Sequence, residues 1–169
     1  MKDRIVEHLH YLVGLRLGHI GRASNLVWIG FGEYSTQDDG SGQARMLPEY
    51  ALHVQCAWRL TQGAEPFLAS QDIYVPNPTL VSDETFDWSK VGNSRFDQLV
   101  IEFLSSIHDP LVVQAVKADE HGGIIISLSH EVEVQVFPDE SRDVEVWRLL
   151  QFGGSGWHFV VTGRGCEEV

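Results

Sequence analysis

The chain has 169 residues, of which 43% are hydrophobic and 21% charged, and its formal net charge is −12 at pH 7. This composition is that of an ordinary globular domain, and a chain of this length can bury roughly two-thirds of its unfolded surface without a disulfide or a metal. The negative charge repels phosphate groups, which argues against nucleic-acid binding and against binding to anionic membranes.

The sequence predicts one domain over residues 1–169, in the cytoplasm. The beginning of the chain is too acidic for a signal peptide, and no apolar run reaches the ~20 residues of a membrane span. The two cysteines, Cys56 and Cys166, are too few and too unevenly placed for a disulfide framework.

The first fifty residues predict one helix, two strands and a loop. Residues 2–13 place Ile5, Leu9 and Leu12 at helical spacing, and residues 15–20 and 23–32 have the composition of strands. Residues 33–49 are predicted as a surface loop because turn formers cluster there. A calcium loop is rejected because the acidic residues lack the spacing of that motif.

Residues 51–74 carry the most informative pattern, an alternation of apolar and polar side chains. The alternating residues are Leu52, Val54, Cys56, Trp58 and Leu60 in one row and His53, Gln55, Ala57 and Arg59 in the other. The pattern predicts a hairpin with its turn at residues 61–65, the apolar row in the core and the polar row outside.

A long connection, residues 75–95, leads to the clearest helix, at residues 95–108. Phe86 and Trp88 are expected to dock the connection on the domain. Ser94 is the predicted N-cap of the helix, with Asp97 three positions on.

Strands at residues 111–118, 124–137, 144–152 and 157–162 complete the chain. Short turns between consecutive strands favour an antiparallel arrangement. We therefore predict an α+β fold: a predominantly antiparallel sheet, bent or partly closed, with one main packed helix and a short N-terminal helix.

The polar row of the 51–74 hairpin is the best candidate for a ligand-binding site. His53, Gln55 and Arg59 share one strand face, and Asp72 and Tyr74 are expected to meet them from the second strand. Arg59 and Asp72 would form a bidentate pair, and His53 would exchange protons near neutral pH. The alternative interpretation is a solvated sheet face with ordinary cross-strand polar pairs.

No motif for a cofactor, a metal or a catalytic nucleophile is found, and we assign no catalytic residue, metal ligand or cofactor. No pair of histidines has zinc-motif spacing. His130 is predicted on the apolar face of its strand, where a hydrogen-bonded core histidine is the usual finding.

An acidic run between residues 131 and 145 is the candidate partner-binding surface. The candidate partner-binding residues in this run are Glu131, Glu133, Asp139 and Glu140. Such a surface suits a basic protein partner, and the alternative is that the charges only protect strand edges from aggregation. Trp147 and Trp157 would anchor an interface if exposed and belong to the core if buried.

Three segments, HVQCAWR at 53–59, SQDIY at 70–74 and the pair Trp147-Arg148, resemble a group of small uncharacterised bacterial proteins over most of the chain. The resemblance implies a shared order of strands and carries no established activity. Small acidic cytoplasmic α+β proteins of this type also resemble immunity proteins of bacterial toxin systems, which implies a protein-binding role and transfers no catalytic residue.

These observations lead to three hypotheses. The first is a non-enzymatic, cytoplasmic protein-binding module of the immunity type with a basic protein partner. The second is a small-ligand-binding protein or enzyme, which requires a concave pocket that holds His53, Arg59, Asp72 and Tyr74. The third is a structural subunit, a homodimer joined through an edge strand.

Overall fold

Antiparallel β-structure dominates the chain. The computed structural model describes residues 1–38, 42–80, 85–153 and 156–169, and this part of the chain contains two α-helices and thirteen strands in three sheets. The six-stranded sheet consists, in spatial order, of β1 (Leu17–Ala23), β2 (Leu26–Phe31), β5 (Tyr50–Val54), β11 (Glu145–Gln151), β12 (His158–Thr162) and β13 (Cys166–Glu168). The five-stranded sheet consists of β7 (Glu65–Ala69), β6 (Ala57–Gln62), β10 (Val132–Phe137), β9 (Ile124–Leu128) and β8 (Val113–Ala118).

The chain segment that begins at Tyr50 passes from one large sheet to the other. β5 pairs with β2 and β11, the chain bends at Gln55 and Cys56, and β6 then pairs with β7 and β10. Strands that change sheets at a bend form the corners of packed sheets. The predicted hairpin strand is therefore continuous in sequence but divided between two sheets.

A second junction joins the starts of β1 and β8. The Leu17 amide donates to the Leu111 carbonyl at 2.8 Å, and the Val113 amide donates to the Leu15 carbonyl at 2.9 Å. The two large sheets are thus connected twice. Antiparallel pairing in all described ladders, together with the two α-helices, confirms the predicted α+β fold, and the predicted bent or partly closed sheet corresponds to two large sheets that are joined at these junctions.

Both large sheets contribute to one hydrophobic core. Leu52 and Val54 of β5 and Trp58 and Leu60 of β6 are at most 3% exposed. The predicted inward row therefore continues through the bend. Full burial of a side chain of this size stabilises the fold by about 1.5–3 kcal/mol.

The predicted N-terminal helix is present as α1 (Lys2–Leu9), followed by a short 3₁₀ helix, His10–Leu12. Its apolar face is completely buried, with Ile5 and Leu9 at 0% exposure. The His8 ring stacks on Phe159 of β12 at 3.9 Å between centroids. The helix also packs on β8, so it covers the side of the core between the two sheets.

The second helix, α2 (Arg95–Ser106), begins at its predicted cap. The Ser94 hydroxyl accepts from the Asp97 amide at 3.4 Å, and the Asp97 carboxylate accepts from the Ser94 amide at 3.1 Å. Phe96 then packs edge-on against Trp58, and Phe103 packs against Phe67 of β7. None of the helices in the described part of the chain is long and apolar enough to cross a membrane.

The predicted loop at residues 33–49 contains a two-stranded sheet, so that prediction was incomplete. β3 (Ser35–Asp38) and β4 (Ala44–Leu47) pair over four positions. Three of the four β4 residues are exposed, so no alternation of burial marks these strands in the sequence. Residues 39–41, part of the turn-forming cluster, lie outside the described residues.

The predicted long strand at residues 124–137 is two strands, β9 and β10. The chain reverses at His130 and Glu131, which both have φ of 59°, the sign that primed hairpin turns require. The reversal escaped prediction because neither residue is a usual turn former and because Leu128 and Val132 stay in phase in the buried row. His130 is exposed in this turn, so its predicted place on the apolar face was wrong.

The predicted last hairpin is confirmed. β11 and β12 pair, and the Gln151 amide donates to the Trp157 carbonyl at 3.0 Å at the end of the ladder. Two residues of the glycine-rich turn, 154 and 155, lie outside the described residues.

Candidate functional site

The five candidate ligand-binding residues do not share one face. His53 lies in β5 of the six-stranded sheet, Gln55 lies at the bend, and Arg59 lies in β6 of the five-stranded sheet. Asp72 and Tyr74 belong to a 3₁₀ helix, Ser70–Tyr74, and not to the predicted second strand, which ends at Ala69. A pocket that holds His53, Arg59, Asp72 and Tyr74 together is therefore not formed.

The predicted Arg59–Asp72 pair was wrong, because each side chain binds a closer neighbour. Asp72 accepts from the Ala69 amide at 2.8 Å and pairs with Arg95 at 3.0 Å, so it caps its own 3₁₀ helix and ties that helix to α2. Arg59 donates to Gln135 at 2.7 Å, and its guanidinium lies 5.0 Å from the centroid of the Phe137 ring. Both charges thus have local structural roles.

His53 lies on the outer face of the six-stranded sheet, between Trp28 on β2 and Arg148 on β11. Arg148 is held by a bidentate contact to Glu145 and lies 3.4 Å from His158 Nδ1. Burial, and next the positive charge of Arg148, lower the pKa of His53 to about 4. The imidazole is therefore neutral at pH 7, and the expected proton exchange near neutrality is corrected.

The glycine at position 21 shapes the same face. Gly21 pairs with Trp28 across β1 and β2, and a Cβ at this position would overlap the indole ring. Only a residue without a side chain lets the ring lie flat over β1. The ring centroids of Trp28 and His19 are 4.9 Å apart, so the outer face carries an aromatic surface beside His53.

Two of the candidate ligand-binding residues do meet in a small cleft at the bend between the sheets. We call it the corner cleft; its polar and aromatic lining consists of Asn25, Gln55, Cys56, Ser70, Gln71, Tyr74 and Asp139. The volume of the corner cleft is about 140 Å³. Its lining comes from four elements distant in sequence: the β1–β2 turn, the bend, the 3₁₀ helix Ser70–Tyr74 and the β10–β11 connection.

The thiol of Cys56 is unreactive in this cleft. Burial, and next the nearby charge of Asp139, raise its pKa to about 12. A thiol with that pKa carries almost no thiolate at pH 7, and the thiolate is the nucleophilic form. Cys56 therefore does not supply an activated nucleophile to the corner cleft.

An exposed aromatic pair lies beside the corner cleft. Tyr74 and Trp88 are 44% and 38% exposed, and their rings meet edge-on at 5.2 Å between centroids. Trp88 was expected to dock the long connection, and its ring does contact Tyr74, yet it keeps a large exposed surface. We call these two residues the aromatic pair.

The connection that carries Trp88 is fixed at its base. The Asn77 amide donates to the Asn93 carbonyl at 2.7 Å, and the Arg95 amide donates to the Val75 carbonyl at 2.7 Å. The two ends of the connection therefore lie side by side, as in a closed surface loop.

A buried arginine holds the same connection from below. Arg22 of β1 donates twice to the Asp97 carboxylate, at 2.8 and 2.7 Å. Its other donors reach the carbonyls of Ser24, Trp88 and Lys90 at 2.8–3.1 Å. All five guanidinium N–H groups are thereby satisfied, and the backbone at Trp88 is fixed by a side chain that is 0% exposed.

Asp97 completes this arrangement. Burial opposes its ionisation, but hydrogen bonds from Arg22 and Ser94 and the guanidinium charge outweigh burial and lower the pKa of the carboxyl. It also accepts from the Gly92 amide at 2.9 Å. Sequence reasoning identified Asp97 as a capping residue and missed Arg22. The available signal for Arg22 is that a charged residue lies between the predicted strands 15–20 and 23–32.

The four candidate partner-binding residues lie at different places along β10. Glu131 is exposed in the β9–β10 turn, and Glu133 is partly buried, where it accepts from Ser127 and Gln135. Asp139 and Glu140 follow the other end of the strand. Glu131 and Asp139 lie beyond opposite ends of β10, whose 6 residues span about 20 Å at ~3.3 Å per residue, so the acidic run forms two separate groups.

The Glu140 carboxylate already pairs with Arg142, and the Trp147 side chain is buried. Hydrogen bonds from the Arg142 side chain and backbone lower the pKa of Glu140 to about 2. Trp147 is 0% exposed, and its indole N–H donates to the Gly122 carbonyl at 2.8 Å, which places it in the core. Trp157 is partly buried against Tyr11 and His8.

Within the described residues, no group of three or more histidine, cysteine, aspartate or glutamate side chains has a geometry that could hold a metal ion. No family model matches the chain, and no curated protein and no solved structure shows significant similarity to it.

Proposed function

We propose that this protein is a non-enzymatic, cytoplasmic binding module of the immunity type for a basic protein partner, and that the partner contacts the aromatic pair. The observation that carries the proposal is the exposure of Tyr74 and Trp88, with the backbone at Trp88 held by the buried Arg22 side chain. The resemblance to small bacterial proteins is part of the same proposal.

The chemistry of the aromatic pair favours an interface. Tyrosine and tryptophan supply large contact areas with few rotatable bonds, and they dominate binding energy at protein interfaces. Because Arg22 fixes the backbone at Trp88, little conformational entropy is lost on binding. A merely structural role would place these rings in the core, as it does for Trp58 and Trp147.

The charge of the molecule favours a basic partner. The sequence has 24 acidic and 12 basic residues, and attraction between opposite charges accelerates encounter and selects against acidic competitors. Of the candidate acidic residues, Asp139 is nearest to the aromatic pair because it lines the same cleft as Tyr74. Asp87 adds a second carboxylate next to Trp88 in the chain.

The experiment is calorimetric titration with purified basic proteins that are encoded beside its gene. Y74A and W88A are each expected to weaken the binding of a true partner by about 10-fold or more, which corresponds to at least about 1.4 kcal/mol. Tyr11, a tyrosine that is 55% exposed elsewhere on the surface, provides the matched control, and Y11A is expected to keep full affinity.

Charge reversal separates the two acidic groups. D139K is expected to weaken binding and to slow association, whereas E131K should change affinity little because Glu131 lies at the far end of β10. A partner that binds Y74A, W88A and the quadruple charge reversal at Glu131, Glu133, Asp139 and Glu140 with unchanged affinity would refute the proposal.

A further inference from the structure

We infer that the corner cleft receives the cationic head group of one lysine or arginine side chain of the partner. This inference rests on the proposed function and adds the chemistry by which the basic partner is recognised. It follows from the size of the cleft, its acceptor groups and its aromatic wall.

The size of the corner cleft selects a single side chain over a metabolite. Its volume of about 140 Å³ is well below the ~300–1,000 Å³ of pockets that bind small molecules. A guanidinium or an ammonium group with the end of its aliphatic stem fits a space of this size. The stem of a long basic side chain also lets its backbone stay at the cleft rim.

The lining of the corner cleft is rich in acceptors and carries a negative charge. The uncharged polar residues Asn25, Gln55, Ser70 and Gln71 line the cleft together with Asp139, an exposed residue that carries a carboxylate. Asp139 takes part in none of the ion pairs within the described residues, in contrast to Asp72, Glu140 and Glu145. A cation that enters the cleft therefore meets a carboxylate that is not already paired.

The charge of Asp139 acts on the side chains that share the corner cleft. Burial, and next the charge of Asp139, raise the pKa of the Cys56 thiol. Burial disfavours any charge, whereas the negative charge of Asp139 disfavours only a second anion and attracts a cation.

Tyr74 gives the corner cleft an aromatic wall. Tyr74 is one of the residues that line the cleft, and its ring contacts Trp88, so the cleft and the aromatic pair form one continuous surface. The face of a tyrosine ring attracts a guanidinium or an ammonium group. A basic side chain in the cleft would thus be placed beside the residues that anchor the partner.

The test is an NMR titration of the isotope-labelled protein with N-acetyl-arginine amide and N-acetyl-lysine amide. The neutral isostere N-acetyl-citrulline amide is the control probe, because it keeps the shape of arginine and lacks the charge. We expect saturable shifts at the amides of residues 25, 55–57, 70–74 and 139 with at least one cationic probe and not with the citrulline derivative. D139N should weaken binding of the cation by at least 10-fold, whereas D109N, which changes an exposed aspartate outside the cleft lining, should not.

The outcomes separate this inference from the proposed function. Equal shifts with the citrulline derivative, shifts confined to other residues, or unchanged affinity in D139N would overturn the cation site. A protein partner that loses affinity in Y74A and W88A but binds D139N normally would support the proposed function and overturn the cleft inference. Binding of the cationic probe in the cleft, with a partner that ignores the aromatic pair, would overturn the proposed interface while the cation site remained.

Discussion

At the scale of single residues, His53 shows how a sheet face sets the protonation of a side chain. Its neighbours across the ladder are Trp28 and Arg148, which together remove water and add positive charge. A histidine in a more hydrated position would titrate near pH 6.5. At pH 6 such a hydrated histidine would be mostly cationic, whereas His53 is neutral.

The lowered pKa of His53 predicts that the free energy of unfolding decreases in mild acid. Because the unfolded state binds the proton near pH 6.5 and the folded state only near pH 4, the free energy of unfolding falls as pH drops from 6.5 to 4. With allowance for solvent at this partly buried position, about 1–3 kcal/mol is expected. Urea unfolding at several pH values should show this fall in the wild type and a smaller one in H53Q; identical slopes would contradict the assignment.

At the scale of elements, the long connection depends on one buried ion pair. Arg22 joins β1, the backbone at Trp88 and Lys90, and the first turn of α2. Apart from this contact and the paired base, the described residues of the connection include no buried apolar side chain. A polar network therefore fixes the backbone at Trp88, whose ring remains exposed.

D97N is expected to destabilise the protein by about 3–5 kcal/mol at pH 7, because it leaves the buried guanidinium of Arg22 without a counter-charge. Since the pKa of Asp97 is lowered on folding, its contribution is present above the pH at which an unfolded aspartate titrates, about 3.9, and is lost as pH falls through the lower folded value. The difference in unfolding free energy between wild type and D97N should therefore narrow below about pH 4.

D87N is the matched control for this experiment. Asp87 lies in the same connection, but its carboxylate contacts the neighbouring Ser89 and Lys90 at the surface, so a change within about 0.5 kcal/mol is expected. Equal effects of D97N and D87N would show that the buried pair does not hold the connection.

At the scale of the whole molecule, the two large sheets share one core and are joined by the bend between β5 and β6. Buried residues of β5, β6, β10 and β11 belong to a single cluster with both helices. The bend at Gln55 and Cys56 passes backbone directly from one sheet to the other. A chain connected in this way is expected to unfold as one cooperative unit.

Hydrogen exchange tests this single-domain prediction. The amides of Leu52 in the six-stranded sheet and Leu60 in the five-stranded sheet should exchange with the same opening free energy, equal to that of global unfolding in urea. A five-stranded sheet whose protected amides open at a free energy lower by about 2 kcal/mol or more would show two separate folding units.

The edges of the sheets bear on the hypothesis of a homodimer. β7 contains Pro66, and β13 is three residues long and carries Glu167 and Glu168. Proline, short length and charge are the features that discourage edge pairing. The edge-strand homodimer stays a hypothesis, and β1 and β8 are the other edge strands of the two large sheets.

The sequence by itself determined the periodic elements. Period-two rows gave the inward face from Leu52 to Leu60, and a helical stripe with a Ser94–Asp97 cap gave α2, because local side-chain direction follows directly from backbone periodicity. It also gave the fold class, since short turns between such strands favour antiparallel pairing. It missed the reversal at His130 and Glu131, because neither residue is a usual turn former and the buried row stays in phase across the turn.

Only the tertiary structure decided which of these faces meet. Gln55, Tyr74 and Asp139 converge because the strand bends between two sheets, while Arg59 and Asp72 separate because closer partners satisfy them. Arg22 finds Asp97, 75 positions later, through the fold alone. A side chain's direction is a local property of the chain, whereas its partner depends on how distant elements pack, and the candidate site depends on partners.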